Sequence, residues 1–185
     1  MDFHLRPAKL SDAPFIHAIY DDSVRHGTGS FDVEGPDLAT MSERISTLQA
    51  EGYPVIVAIE DGLTEQDEDG PIIGFAYAGP HKPRSGYRFT VESSIYLASR
   101  ARRRGVGTAL LKGIIAASER AGFRQMVAVI GDSANAGSIL LHAKCGFEEV
   151  GVFKNVGRKF DRWLDVVFMQ RSLGDGGATP PAERS

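Results

Sequence analysis

The run Arg102-Arg103-Arg104-Gly105-Val106-Gly107-Thr108 gathers the residue types that hold an anion. It follows a strand-like stretch, Val91 to Leu97, and opens a helix-like one, Val106 to Ala121. A helix start carries N–H groups with no partner inside the helix, and its dipole favours negative charge. Glycines let the backbone come close to a phosphate. Arginines add charged donors matched to phosphate oxygens. Strand, basic glycine turn and helix, in that order, predict a site for a phosphorylated ligand, best a pyrophosphate. The plainer alternative is a solvated helix start.

Missing patterns narrow the ligand. A P-loop needs Gly-x-x-x-x-Gly-Lys-Ser/Thr, and no such run exists. A dinucleotide fingerprint needs a third glycine where Leu110 stands. Among 185 residues, 42% are hydrophobic and 24% charged, ordinary for one globular domain. The net charge of −3 argues against a nucleic-acid partner. One cysteine excludes an internal disulfide, and Cys145, at the end of an apolar helix, reads as packing. No apolar run reaches the ~18 residues of a membrane span and no signal peptide is visible, so the expected location is cytoplasmic. His4, His17, His26 and His81 show no metal-ligand spacing, and no metal is expected.

The elements that must position the loop follow from periodicity. Phe3 to Arg6 reads as a strand ended by Pro7, and Ser11 or Asp12 as the cap of a helix to about His26. Gly27 to Phe31 is a loop, and Asp37 caps a second helix to about Glu51. Val55–Glu60 and Ile72–Gly79 read as strands around an acidic, exposed loop, Asp61 to Gly70. Phe89–Leu97, the anion helix, the strand Met126–Ile130 and the helix Asn135–Cys145 come next. Phe147–Lys154 and Trp163–Gln170 read as a closing antiparallel pair. Residues 1–173 are expected to form a single domain, and 174–185, rich in Gly, Pro and Ala, a disordered tail.

Two blocks carry a resemblance. Arg102-x-x-Gly105-x-Gly107 resembles the pyrophosphate loop of the GNAT N-acetyltransferase superfamily, which binds acetyl-coenzyme A. Asn135-Ala136-Gly137-Ser138-Ile139-Leu140-Leu141-His142-Ala143-Lys144-Cys145-Gly146-Phe147 resembles that superfamily's Asn-x-x-Ala/Ser-x-x-Leu-Tyr-x-Lys-x-Gly-Phe pattern, with His142 in the Tyr slot. Further stretches resemble the phosphinothricin and methionine sulfoximine acetyltransferase branch. They are Tyr77-Ala78-Gly79-Pro80-x-Lys82-x-Arg84-x-x-Tyr87, Thr90 to Tyr96, Val127 to Gly131, and Lys159-Phe160-x-x-Trp163-x-Asp165-Val166. The resemblance runs from Arg6 to about Leu173. It implies an α/β (α+β) GNAT fold: a mixed, mostly antiparallel sheet flanked by helices, with splayed strands forming the acetyl-CoA cleft.

The implied reaction is direct attack of a small amino-acid-like amine on the acetyl thioester. An α-amino group, with a pKa near ~8, arrives mostly charged, so a general base helps. The resemblance points to Glu92; a surface carboxylate, or one that only holds the ammonium, is the alternative. His142 is implied as acid or base, against the plainer reading of a structural histidine. For the coenzyme it implies the strand backbone at Ile95, Tyr96 and Leu97, the loop Arg102, Arg103, Arg104, Gly105, Val106, Gly107 and Thr108, and Asn135 with Ser138. A zwitterionic acceptor needs a cation for its carboxylate: Lys82, Arg84 and Lys159 are candidates, with Tyr87 as a wall. Phe31, Phe75, Tyr77 and Trp163 are implied pocket residues, though singly they read as core. A homodimer is expected by resemblance alone. The alternatives are another small amine, a peptide N-terminus, or a non-catalytic acyl-CoA sensor.

Overall fold

Apolar residues recur at helical spacing at Ile16, Ile19, Tyr20 and Val24, and at Met41, Ile45 and Leu48; all are buried. The structure, a computed structural model, describes residues 3–67 and 70–182. The described residues form β1 (Phe3–Pro7), α1 (Ala13–His26), α2 (Leu38–Ala50), β2 (Val55–Glu60), β3 (Ile72–Pro80), β4 (Thr90–Leu97), α3 (Val106–Arg120), β5 (Gln125–Gly131), α4 (Ala136–Lys144), β6 (Glu148–Lys159) and β7 (Arg162–Ser172). The strands make one sheet in the order β1-β2-β3-β4-β5-β7-β6. Only β4 and β5 pair in parallel, joined by the α3 crossover.

Two apolar clusters cover the two faces. On one, Leu110, Leu111 and Ile114 of α3 pack on Ala76, Ala78 and Val91. On the other, α1 and α2 pack on Val57, Ile72 and Phe75. Glycine 113 lets α3 lie close, since a β carbon there would stand 2.8 Å from Ile56 Cδ1.

The helix ends test the cap assignments. Asp37 accepts from the Thr40 N–H at 2.7 Å, as expected of an N-cap. Asp12 does not cap α1. Its carboxylate takes both terminal nitrogens of Arg6, at 2.7 and 2.8 Å, and the Lys9 N–H, and a short 3-10 turn, Leu10–Asp12, precedes the helix. The ion pair with β1 outcompetes the local cap. Gly146 ends α4 at φ +82°, with Phe147 N–H bonded to His142 O and Gly146 N–H to Ala143 O.

The closing pair is longer than expected: β6 and β7 run on to a two-residue turn at Phe160 and Asp161, both left-handed (φ 50° and 56°). That geometry suits a tight hairpin, but Phe-Asp lacks the usual Asn-Gly signal. Within the expected tail, Arg124 donates to Thr179 Oγ1 and to the Pro180 carbonyl, at 2.9 and 3.2 Å. Residues 183–185 of that tail, and 68–69 of the Asp61–Gly70 loop, lie outside the described residues.

The register of β6 shifts between Phe153 and Gly157, and Asp165 of β7 fills the irregularity. It accepts from Lys154 Nζ (2.9 Å), Ser133 Oγ (2.8 Å) and the Asn155 N–H (3.1 Å). These donors, Lys154 first, hold its carboxyl down at about 2. An unfolded Asp titrates near ~3.9, so the stabilisation is present above that value and is lost as pH falls through the folded one. Asp165→Asn should therefore melt earlier than wild type near neutral pH, with the gap closing towards about pH 2. A gap in melting temperature that ignores pH would contradict this network.

Candidate active site

The parallel ladder between β4 and β5 covers only Thr90–Ser93 against Gln125–Ala128. Beyond it the strands part. Ser94 to Leu97 stay paired with β3 on one side, while Val129 to Gly131 stay paired with β7. The result is a V-shaped opening with one unused backbone edge of β4. The N-termini of α3 and α4 follow the diverging ends of β4 and β5.

At α3 the N-cap is Gly105, left-handed at φ +83°, and no side chain caps the helix. Its first-turn N–H groups therefore remain without a local acceptor. Arg103 is also left-handed, at φ 61°. The backbone alternates around this turn as in anion-binding nests. Arg102 and Arg103 are exposed. Arg104 is not an outward-facing donor: its Nη2 lies 2.7 Å from Oε1 of the buried Glu60. Val106 and Gly107 are buried, with Leu97 and Leu141 both 3.4 Å from where a Gly107 β carbon would be. Thr108 is partly buried. These features fit a pyrophosphate at the turn.

At α4, Asn135 Oδ1 accepts from the Ser138 N–H at 3.2 Å. His142 is buried. Its Nδ1 lies 2.8 Å from the Ser138 carbonyl, which can only accept, so the ring proton is on Nδ1. Nε2 is then a buried lone pair with no partner among the described residues. Burial pushes the imidazole pKa down, against the opposing pull of the Ser138 carbonyl. In this form His142 has no free proton to give.

Strand alternation sorts β4 into two sides. Ile95 and Leu97 pack towards α3. Glu92, Ser94 and Tyr96 share the α1/α2 side with their cross-strand partners Gly79, Tyr77 and Phe75. The Tyr96 side chain therefore faces away from α3, stacked on Phe75 (5.2 Å) and edge-on to Tyr20 (4.9 Å). Burial, then Tyr77 and Tyr20, pushes the Tyr96 phenol well up, so it stays protonated. Glu92 is about one-third exposed, and its Oε2 lies 3.4 Å from His81 Nδ1. Tyr87 stands edge-on to His81 at 5.8 Å.

The loop between α1 and α2 closes one end of this side. Phe31 sits against Gly131 and Gly157, where β carbons would come within 3.0 and 2.4 Å of its ring. Lys159 is buried and donates to the Ser30 carbonyl at 2.8 Å, so it holds the loop. Burial lowers its pKa. Lys82 and Arg84 are exposed on the connection after β3, and Trp163 is exposed on β7. The structure thus gathers Glu92, Tyr77, Phe75 and Tyr96, and leaves Trp163 on the outer surface.

The family model described as Acetyltransferase (GNAT) family matches residues 16–147. The chain belongs to the GNAT acetyltransferase family. A phosphinothricin N-acetyltransferase of Alcaligenes faecalis is 45% identical over 177 residues, 96% of this chain and 86% of that one. An L-methionine sulfoximine/L-methionine sulfone acetyltransferase of Pseudomonas aeruginosa is 38% identical over 180 residues, 97% of this chain and 100% of that one. A solved Sinorhizobium meliloti phosphinothricin acetyltransferase in complex with AcCoA superposes with a TM-score of 0.90 at 45% identity, covering 99% of this chain and 95% of that one. The open mixed sheet flanked by helices is the GNAT fold.

The GNAT site also contains residues that motif reading passed over. His81 was set aside with the other histidines, yet it is Glu92's neighbour. Its signal is position: it directly follows β3, two residues beyond Gly79, the cross-strand partner of Glu92. Arg44 places its guanidinium over the Tyr20 ring, 5.5 Å from the centroid. It lies between Met41 and Leu48 on the inward stripe of α2, an unusual place for a charge.

Above about pH 6.5 both folded and unfolded chains hold a neutral His142. Below it the unfolded chain gains a proton that the buried ring resists, so stability is lost as pH falls through the lowered folded value. His142→Phe should therefore flatten the fall in urea midpoint between neutral pH and about 5.5. An unchanged slope would place that acid sensitivity elsewhere.

Proposed function

We propose that the protein transfers an acetyl group from acetyl-CoA to the amino group of a small amino-acid-like acceptor, such as phosphinothricin or methionine sulfoximine. One observation carries this reading: an uncapped glycine helix start with exposed arginines and a half-exposed carboxylate, Glu92, border the same opening between β4 and β5. The relatives' named activities support the acceptor class.

Glu92 takes the proton of the acceptor ammonium, directly or through water. The freed amine attacks the acetyl carbon; the new C–N bond forms, the C–S bond breaks, and the nitrogen's surplus proton passes through water to the departing thiolate. The unpaired edge at Ile95, Tyr96 and Leu97 binds the pantetheine arm as an added strand would. Arg102, Arg103 and the N–H groups from Gly105 to Thr108 take the pyrophosphate, while Asn135 and Ser138 border the arm. His142 is tied to the first turn of α4 through Nδ1 and has no proton at Nε2, so it does not protonate the thiolate. Phe75, Tyr77 and Phe31 shape the acceptor pocket. Lys82, Arg84 and Arg44 are the cations offered to the acceptor carboxylate, with Tyr87 beside them, and Lys159 supports them by fixing the loop.

The working state is a homodimer in the cytoplasm. Supporting the dimer, edge strand β6 and the β6–β7 turn expose Phe153, Val156, Phe160 and Trp163. Among the described residues no helix is long and apolar enough to cross a membrane.

Thiol release from acetyl-CoA should be detected with phosphinothricin or methionine sulfoximine, and not with polyamines or short peptides. Turnover with peptides alone would sink the acceptor assignment. Glu92→Gln should lower kcat about 10²–10⁴-fold while CoA affinity by calorimetry is unchanged. Full activity in that variant would remove Glu92 from the chemistry, and CoA binding with no turnover of any amine by wild type would favour an acyl-CoA sensor.

A further inference from the structure

Glu60 ends β2, far from Arg104 in the chain, and its side chain is only 6% exposed. A buried carboxylate is costly unless it is paired. Its partners are both arginines of the basic cluster. Oε1 lies 2.7 Å from Arg104 Nη2 and Oε2 lies 3.5 Å from Arg100 Nε, ion-pair contacts made without hydrogen-bond alignment. Arg100 also donates to the carbonyls of Gly70 and Ile72, at 2.9 and 3.4 Å, and Arg104 Nη1 approaches the Arg100 carbonyl at 3.4 Å. The two arginines bracket Arg103, whose φ of 61° is unfavourable for a residue with a β carbon. A turn of that kind persists only when its surroundings hold it.

We infer that Glu60 is the positioning residue of the anion-binding turn: it grips Arg100 and Arg104 so that Arg102, Arg103 and the α3 N–H groups are held in a phosphate-ready arrangement. Arg104 then acts through Glu60 and not as a phosphate ligand. This rests on the coenzyme reading given above and deepens it. The ion-pair partners of Glu60 are arginines of the turn, so its effect is expected at the phosphate end of the cosubstrate.

The test compares two thioesters in wild type, Glu60→Gln and the charge-free pair Glu60→Gln with Arg104→Gln. The double variant guards against a folding defect from an unpaired buried charge. S-acetylpantetheine lacks the pyrophosphate, while acetyl-CoA carries it. Both variants should raise KM for acetyl-CoA, and Kd for CoA by calorimetry, on the order of tenfold, as orienting partners do elsewhere. KM for S-acetylpantetheine and for the acceptor should not change. The salt dependence of CoA binding should match wild type in the double variant and flatten in Arg102→Gln. Equal losses with both thioesters would make Glu60 a general structural residue. Unchanged or tighter CoA binding in the folded variants would overturn the positioning role. Wild type that binds no CoA would sink the coenzyme reading itself, and this inference with it.

Discussion

Strand pairing between β4 and β5 stops after Ser93 and Ala128, and the site follows from that interruption. A parallel ladder is normally buried and continuous. Here β5 keeps its partner β7 to Gly131 and β4 keeps β3 to Leu97, so each strand is secured from its outer side. Each strand therefore follows its own outer neighbour, and the two halves of the sheet diverge beyond Ser93 and Ala128. The inner edge of Ser94 to Leu97 is left with backbone groups that need water or a ligand. At the end of β5, the Phe31 ring lies against Gly131 and Gly157. A β carbon on Gly131 would also come 2.3 Å from the Thr28 carbonyl, so the loop and the open end of β5 fit only because that residue is glycine.

The alternation of β4 then divides labour. Odd residues from Val91 to Leu97 face α3 and even residues from Glu92 to Tyr96 face α1 and α2. One strand can in this way offer its edge to an extended thioester arm and its even side chains to an amine. Tyr96 shows why the two roles must be kept apart: its backbone is on the open edge while its ring stacks on Phe75 and meets Tyr20. Its phenol, pushed well up by desolvation, stays protonated and adds no charge to the face it shares with Glu92.

Local signals were legible where the physics is local. The glycine turn and the Asp37 cap each depend on residues within a helical turn of one another. Side chains committed across the fold were not. Lys159 answers to Ser30, Asp12 to Arg6 instead of its own helix, and Arg104 to Glu60. The Phe160-Asp161 turn was hidden for a different reason: its left-handed pair carries neither Gly nor Asn, so the long hairpin enforces it. His81 was hidden because a histidine acquires meaning only from the strand register that sets it beside Glu92.

The basic cluster shows how a charge count misleads when pairing is ignored. Arg100, Arg102, Arg103 and Arg104 suggest four donors for a phosphate. Buried Glu60 engages two of them, and the two that remain exposed flank the left-handed turn. If all four faced solvent unpaired, their mutual repulsion would oppose the close approach that the turn requires. With one carboxylate beneath them, the cluster keeps a positive face while part of that repulsion is offset. The positive face of the turn is thus made by the uncapped N–H groups of α3 and two exposed guanidinium groups, with the other two arginines turned to Glu60.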